Sequence, residues 1–511
     1  MPFNTVFSWF IKKRVHQIDL FKKFPHEVQE ELFQKMLGQG LNTSFGRDHS
    51  FFTIRTVKDY QKQVPIRNYE GLKGYIDRSL IGEEDVLWPG RVKWFAKSSG
   101  TTTSKSKLIP MTRESLEECH YKGGKDLLAM YCFNNHDSQI YAGKTLMMGG
   151  SSDLSSLNAD TVTGDLSAII IQNLPMWVNI KRTPNKGIAL MDNWEEKIEK
   201  MAHTTIKEDV SVVTGVPSWT LVLFKRILEI TGAKSIKEVW PNLELFMHGG
   251  VSFKPYRPQF DTMVNHSGLN YYETYNASEG FFGLQDKNNS EEMLLMLDYG
   301  IFYEFLPMSE LTSEDRQTLM LSEVEMDVAY ALVITTNAGL WRYLIGDTIK
   351  FTSLSPYRIK VVGRTKLFIN AFGEEVIIDN AEEAVRRACV ATNSIVNDYT
   401  VAPVFMTEQG TGAHEWVMEF ERAPKNLSMF VELLDSGLKE LNSDYEAKRS
   451  ADLSLGKPIV NVVPCETFYQ WLKSKGKLGG QHKVPRLCND RKLMDELTEF
   501  ISEQNLILEK V

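Results

Sequence analysis

Apolar residues recur at helical spacing from residue 4 to residue 40 and break at Phe24-Pro25, which predicts two helices ending in the polar segment Asn42 to Asp48. The stretch Val64 to Arg78 combines a proline-set entry with a short helix. Trp88-Pro89-Gly90 then reads as a turn that delivers the chain to a buried strand end, Trp94-Phe95-Ala96. Leu108-Ile109-Pro110 and the N-cap Thr112 lead into a helical run beginning Arg113-Glu114-Ser115-Leu116. Further on, Ser211-Val212-Val213, the turn Gly215 to Trp219 and the helix Leu221 to Leu228 make a strand-turn-helix unit of the kind that builds an α/β layer. Two strand-like runs, Leu243 to Met247 and Leu269 to Thr274, each end in small residues. Val328 to Thr335, Trp341 to Leu344 and Thr348 to Thr352 predict three successive strands, with turns at Asn337-Ala338-Gly339 and Gly346-Asp347. After the strand Ile359 to Val362, a helix from Asp379 to Val390 opens a remainder in which helices near 426–441 and 490–503 alternate with β runs Tyr399 to Phe405, Trp416 to Phe420 and Ile459 to Val463. The expected fold is therefore α/β: a large N-terminal domain over 1–364 with mixed sheets and helices, and a smaller α+β domain over 365–511.

Composition narrows the function classes. At 511 residues and 42% hydrophobic content the chain can bury more than one core, and its net charge of −8 does not suggest a nucleic-acid surface. No run approaches the roughly 18 apolar residues of a membrane span. The first helix carries Phe3, Phe7, Phe10 and Ile11 ahead of Lys12, Lys13 and Arg14, an order unlike a secretory signal, so a cytoplasmic protein is expected with this helix packed on the body rather than on a lipid surface. Five cysteines without a Cys-x-x-Cys pair are expected to be reduced, buried thiols.

Candidate chemistry begins in WFAKSSGTTTSKSKLIP, residues 94–110. Ser98, Ser99, Gly100, Thr101 and Thr102, with Lys105 and Lys107 following, would let short side chains, backbone N–H groups and hydroxyls close on an anion. A flexible Ser/Thr linker has the same composition, but apolar segments pin this stretch on both sides. It is not the P-loop of nucleotide triphosphatases, because Lys105-Ser106 stands where that motif needs Gly-Lys. In an open α/β sheet the loops beyond the carboxyl ends of strands build the ligand crevice, so His248-Gly249-Gly250-Val251-Ser252 and Tyr275-Asn276-Ala277-Ser278-Glu279-Gly280 are expected to converge with the cradle. His248 reads as a structural histidine. Glu279, between small residues and aromatics, needs a cation, a metal or a hydrogen-bond network. Asp347 reads equally as a turn residue or as an acceptor for a sugar diol. The basic stretch Gly476 to Arg486 reads as a solvated loop on composition alone. Leu116, Trp177, Val216 and Trp219 suit either an apolar acid pocket or core packing.

Taken together and in order, SSGTT at 98–102, YNASEG at 275–280, RYLIGD at 342–347 and GQHKVPR at 480–486 resemble the Gretchen-Hagen acyl acid amido synthetases of the adenylate-forming superfamily. The resemblance runs through nearly the whole chain, least clearly between about 140 and 240. It implies an N-terminal adenylate-forming domain that binds ATP and a carboxylic acid, and a mobile C-terminal cap. It also implies formation of an acyl-adenylate followed by transfer to an amine, such as an amino acid. Carried over by position, residues 98–102 with Lys105 would cradle the triphosphate and Glu279 would hold Mg²⁺. Gly249, Gly250 and Val251, with Tyr275, Asn276, Ala277 and Ser278, would surround the nucleotide, Asp347 would bind the ribose, Arg364 at the domain junction would also bind the nucleotide and Lys483 would reach the developing charge. Two departures stand out. Ser104-Lys105 replaces a common glycine, leaving open how Lys105 and Lys107 divide the pyrophosphate contacts, and Lys366 replaces an acidic hinge residue, which moves the expected pivot elsewhere, for instance near Gly373. An acyl-CoA ligase sharing the adenylation step and a non-catalytic nucleotide or acyl sensor are the alternative readings.

Overall fold

The computed structural model describes all residues except 1, 99–106, 150–154, 159–160, 192, 251–252, 254–256, 266–267, 314, 366–367, 370, 372–373, 375, 406–411, 443–444, 447–448, 450–454, 477–483, 489, 505 and 508. The chain separates into two compact units. One holds Met1–Ile345, Ile349–Val361 and Gly479–Gln481, and the other holds Gly346–Thr348, Val362–Leu478 and His482–Val511.

The expected N-terminal helices are Pro2–Lys23 and Pro25–Gly40, the second opening on a proline whose missing N–H costs nothing at that position. Gln29 lies on the buried face of the second helix. Its amide nitrogen donates to the carbonyls of Leu297 and Ile301 at 2.8 and 3.0 Å, and its oxygen accepts from the N–H of Tyr303 at 3.0 Å. A polar side chain thus docks the helix on the sheet, with each buried group satisfied.

Strands of this part follow in chain order as β1 (Trp94–Ser98), β2 (Lys107–Met111), β3 (Lys144–Met147), β4 (Ser155–Asn158), β5 (Thr161–Asp165), β6 (Arg182–Thr183), β7 (Val210–Gly215), β8 (Leu245–Gly249), β9 (Asn270–Ala277), β10 (Gly280–Leu284), β11 (Met293–Leu295), β12 (Ile301–Pro307), β13 (Ala329–Thr336), β14 (Tyr343–Leu354) and β15 (Tyr357–Arg364). Among the described residues β2-β1-β5-β4 form a four-stranded sheet, and β12-β13-β14-β15-β11-β10-β9-β8-β7-β3-β6 form an eleven-stranded one. β6, β3, β7, β8 and β9 pair in parallel. Parallel neighbours need long crossovers, and the helix Pro217–Thr231 between β7 and β8 supplies one, as the strand-turn-helix pattern predicts. The apolar run Leu166 to Ile171 is helical, lying within Leu166–Asn173.

The runs Trp341 to Leu344 and Thr348 to Thr352 are not separate strands. Both belong to β14 or its approach, and Gly346-Asp347 is not a turn. Gly346 takes φ +92° inside the strand and its carbonyl accepts from the Thr365 N–H at 2.7 Å, so the glycine absorbs a kink without reversing the chain. Just before β14, Arg342 adopts φ +46° with a buried side chain. Its Nε and Nη2 donate to Glu304 at 3.0 Å each, Nη2 also to Thr318 Oγ1 at 2.8 Å, and Nη1 to the carbonyls of Gln61 and Val64 at 2.8 and 2.7 Å. Every guanidinium N–H is met, and Glu304, in the otherwise apolar β12, is buried against it.

In the second unit β16 (Phe368–Ile369) and β17 (Val376–Ile377) form a short ribbon, while β18 (Ile395–Val404), β19 (Ala413–Arg422), β20 (Ile459–Val463) and β21 (Glu509–Lys510) lie in that order in one sheet. Helices Ile378–Thr392 and Leu427–Leu441 pack closely, since a Cβ on Gly437 would sit 3.2 Å from Ala384. The smaller α+β part is thus as expected, with the β16–β17 ribbon, β21 and one helix added. Helix Thr467–Ser474 follows Glu466, whose φ of +71° is unusual for a side-chain-bearing residue.

Removing one partner from a buried pair strands the other charge. Arg342→Met is expected to cost about 3–5 kcal/mol, read as a lowered urea midpoint of the first unit, whereas substitution at the exposed Arg55 should move it by less than about 0.5 kcal/mol.

Candidate active site

β1 and β2 form an antiparallel pair whose last rung joins Ser98 to Lys107. Phe95, Ala96 and Ile109 are fully buried, and the Tyr69 hydroxyl accepts from the Leu108 N–H at 3.0 Å, so both arms are anchored. Ser99, Gly100, Thr101, Thr102 and Lys105 lie outside the described residues. Beyond β2, Thr112 accepts from the Ser115 N–H at 3.0 Å and donates to the Asn337 carbonyl at 2.7 Å, which is the capping role expected of it.

The parallel strands β3, β7, β8 and β9 end side by side. Gly215 aligns with His248, and Gly249 aligns with Thr274. Gly249 has no room for a side chain, because a Cβ would fall 2.5 Å from the Thr274 carbonyl oxygen, and Gly250 follows at φ +79°. Val251 lies outside the described residues. His248 is buried and stacked on Phe253 at 4.1 Å between ring centroids, and burial pushes its pKa down to about 3. A neutral ring packed this way fits the structural reading.

β9 returns through β10, with Ala277 opposite Gly280 and Asn276 opposite Phe281, so Ser278 and Glu279 alone make the turn. Neither has positive φ, which excludes the primed turns that usually close such hairpins. The register shifts between Phe281 and Gly283, and this bulge absorbs the misfit. Glu279 is 7% exposed and Ser278 4%, with no hydrogen-bond partner for the serine Oγ among the described residues. Tyr275 packs its ring on Phe282 at 4.7 Å. Ser98, Gly249, Gly250 and Tyr275 to Glu279 therefore all belong to the first unit. Asp347, buried in β14, and Arg364, ending β15, belong to the second, and Lys483 lies outside the described residues.

Periodicity misses the segment that joins these pieces. The helical run after Thr112 contains a π-turn, Ser115–His120, before the regular helix Tyr121–Asn134. A π-turn holds an extra residue, which no 3.6-residue pattern announces; such turns recur at functional sites, and this would have been the available clue.

Models of the GH3 family N-terminal, central and C-terminal domains match residues 14–269, 294–364 and 379–492. The chain belongs to the GH3 family. Indole-3-acetic acid-amido synthetase GH3.3 of Arabidopsis thaliana is 24% identical, with 96% of this chain and 92% of that protein covered. The 4-substituted benzoates-glutamate ligase GH3.12 of the same plant is also 24% identical, with 92% and 94% covered. The solved structure of AtGH3.15 acyl acid amido synthetase in complex with 2,4-DB shares the fold, with a TM-score of 0.78 at 18% identity over 95% of this chain and 94% of that one.

In this GH3 chain the GQHKVPR stretch is not wholly a solvated loop. Arg486 pairs with Asp398, lies 4.5 Å above the Tyr399 ring and accepts the Val401 N–H on its carbonyl at 2.9 Å. Its end is therefore laid along β18. The cysteines also depart in part from expectation: none of the five is in a disulfide, and Cys119 and Cys488 are buried, but Cys132 and Cys389 are only partly buried and Cys465 is exposed. Among the described residues no helix is long and apolar enough to cross a membrane, and no cluster of His, Cys, Asp and Glu is built to hold a metal by itself.

Glu419 on β19 caps the helix Thr467–Ser474, accepting from the N–H groups of Phe468 at 2.6 Å and Glu466 at 3.1 Å. Burial pushes its carboxyl up to about 7, helped by nearby Asp398 and opposed by those amides and Asn397. The folded state then holds a proton that the unfolded chain, with an ordinary value of 4.5, releases. Stability should fall as pH rises from about 4.5 to about 7 and level off above it. Urea unfolding of Glu419→Gln is expected to lose that slope.

Proposed function

We propose that this chain joins a carboxylic acid to an amine, an amino acid being the class to test first, through an acyl-adenylate made from ATP. The observation that carries the reading is the order of three GH3 domain matches along the chain, with a buried carboxylate at the tip of the β9–β10 turn inside the first of the two units. In the first half-reaction the acid's carboxylate oxygen attacks the α-phosphorus of ATP and pyrophosphate leaves. In the second, the amine nitrogen attacks the acyl carbon, AMP leaves and the nitrogen gives up a proton.

Ser98 to Thr102, Lys105 and Lys107 are assigned to the triphosphate, where hydroxyls, amides and ammonium groups neutralise charge that moves onto pyrophosphate. Gly249, Gly250, Val251, Tyr275, Asn276, Ala277 and Ser278 are assigned to the nucleotide: glycines without room for a Cβ suit backbone approach, and the orphaned Ser278 hydroxyl suits a ligand partner. Asp347 would accept from the ribose hydroxyls, with Arg364 at the junction. Glu279 fits Mg²⁺, because a hard cation takes carboxylate oxygen and offsets the cost of burying that charge. Bound there, Mg²⁺ would neutralise phosphate charge.

Residues 1–364 would thus bind ATP and the acid, and 365–511 would form the mobile part bringing Lys483. A cytoplasmic setting suits five cysteines of which none is in a disulfide, and the use of ATP. ATP–pyrophosphate exchange across a panel of carboxylic acids tests the reading: its absence with every acid would refute it, and product analysis with amino acids against CoA separates amide from thioester formation.

Two variants test the assignments. Glu279→Gln is expected to abolish exchange while leaving the melting temperature near wild type, since the amide keeps the shape and loses the charge. Lys483→Ala is expected to slow adenylation about 10²–10³-fold with ATP binding little changed. Amide formation from a supplied acyl-adenylate should suffer less; equal losses in both half-reactions would return Lys483 to a solvated loop.

A further inference from the structure

The π-turn Ser115–His120 places two consecutive side chains on the hairpin that carries Glu279. Cys119 Sγ accepts from the Phe281 N–H at 3.1 Å, and His120 Nδ1 lies 3.1 Å from Asn276 Oδ1. Asn276 and Phe281 face each other in the ladder, so both arms are held one step before the turn. One helical step further, Gly123 lets the helix lie flat, since a Cβ there would fall 2.5 Å from the Phe281 ring.

His120 is 5% exposed, and burial pushes its pKa down to about 4, so near neutral pH the ring carries one N–H. A carbonyl oxygen can only accept, which places that proton on Nδ1. With Oδ1 engaged by the histidine, the planar carboxamide of Asn276 turns its NH₂ to the opposite side. Asn276 is only half-buried, at the carboxyl end of a parallel strand, where α/β sheets receive ligands.

We propose that His120 is a positioning residue that fixes Asn276 as a hydrogen-bond donor into the adenylation site, where it meets an anionic oxygen of the reactants, carboxylate or phosphate. This rests on the reading of the β9–β10 hairpin as part of that site. The histidine touches no reactant; it sets which end of the amide the reactants meet.

Exchange kinetics on the full chain test this. Asn276→Asp keeps the shape and replaces the donor by an acceptor, so kcat/KM for exchange should fall about 10- to 100-fold or more, at least as far as in Asn276→Ala. A rise in KM for the acid identifies a carboxylate partner, and a rise in KM for ATP a phosphate oxygen. His120→Leu should produce a similar loss, and His120→Asn should restore most of it, because its amide nitrogen can stand near the place of Nδ1. On the Asn276→Ala background His120→Leu should add less than about twofold, the sign of two residues acting as one. Independent, multiplying losses, or wild-type kinetics in Asn276→Asp, would overturn the proposal while leaving the function reading intact. A wild-type chain without exchange would remove both. The Asn276→Asp arm stands even if His120→Leu does not fold.

Discussion

A guanidinium removed from water is tolerated only where its N–H groups all find acceptors, and the neighbourhood of Arg342 is organised by that demand. Its five donors reach β12 through Glu304, the segment before β13 through Thr318, and the backbone at Gln61 and Val64. The last two precede the helix Tyr69–Leu80, whose first residue holds β2 through Leu108. The same arginine begins the approach to β14, which carries Asp347. One buried cation therefore fixes the entry to the cradle hairpin and the start of the strand bearing the proposed ribose ligand.

A second line of polar contacts continues from there. Thr112 ties the end of β2 to the Asn337 turn, and the π-turn that follows ties the same segment to both arms of the β9–β10 hairpin. The segment from Lys107 to His120 is thus a strut between the cradle arms and the turn carrying Glu279. Its contacts are short and largely buried, where an unmade hydrogen bond costs more than a made one contributes.

Much of this was legible in the residues. The N-terminal helices, the β8 and β9 strands ending in small residues, and the strand-helix unit around Pro217 follow from periodicity and turn chemistry, and four spaced motifs carried the family. Other parts obeyed competing physics. Gly346-Asp347 has turn composition, yet β14 continues through it because glycine accommodates the positive φ. Ser278-Glu279 is a hairpin turn without hairpin-turn composition, made possible by the bulge next to it. Arg342 was visible only as part of a motif, and its partner Glu304 lies nearly forty positions away, a pairing that one sequence cannot display. Cys119 and His120 stayed hidden because a π-turn shifts the faces on which side chains emerge. Arg486 read as basic loop until β18 supplied Asp398 and Tyr399.

The turn at Ser278-Glu279 also restricts how such a chain can diversify. A connection of two residues has no slack: gaining or losing one would rotate every following side chain of β10 to the other face of the sheet, taking Phe281 off Cys119. Length variation is closed at this point, so new acid or amine preferences have to arise by exchange of side chains around an invariant hairpin or by remodelling of longer loops elsewhere. For enzyme engineering, the tip holding Glu279 is a place to leave untouched when libraries are built with insertions and deletions.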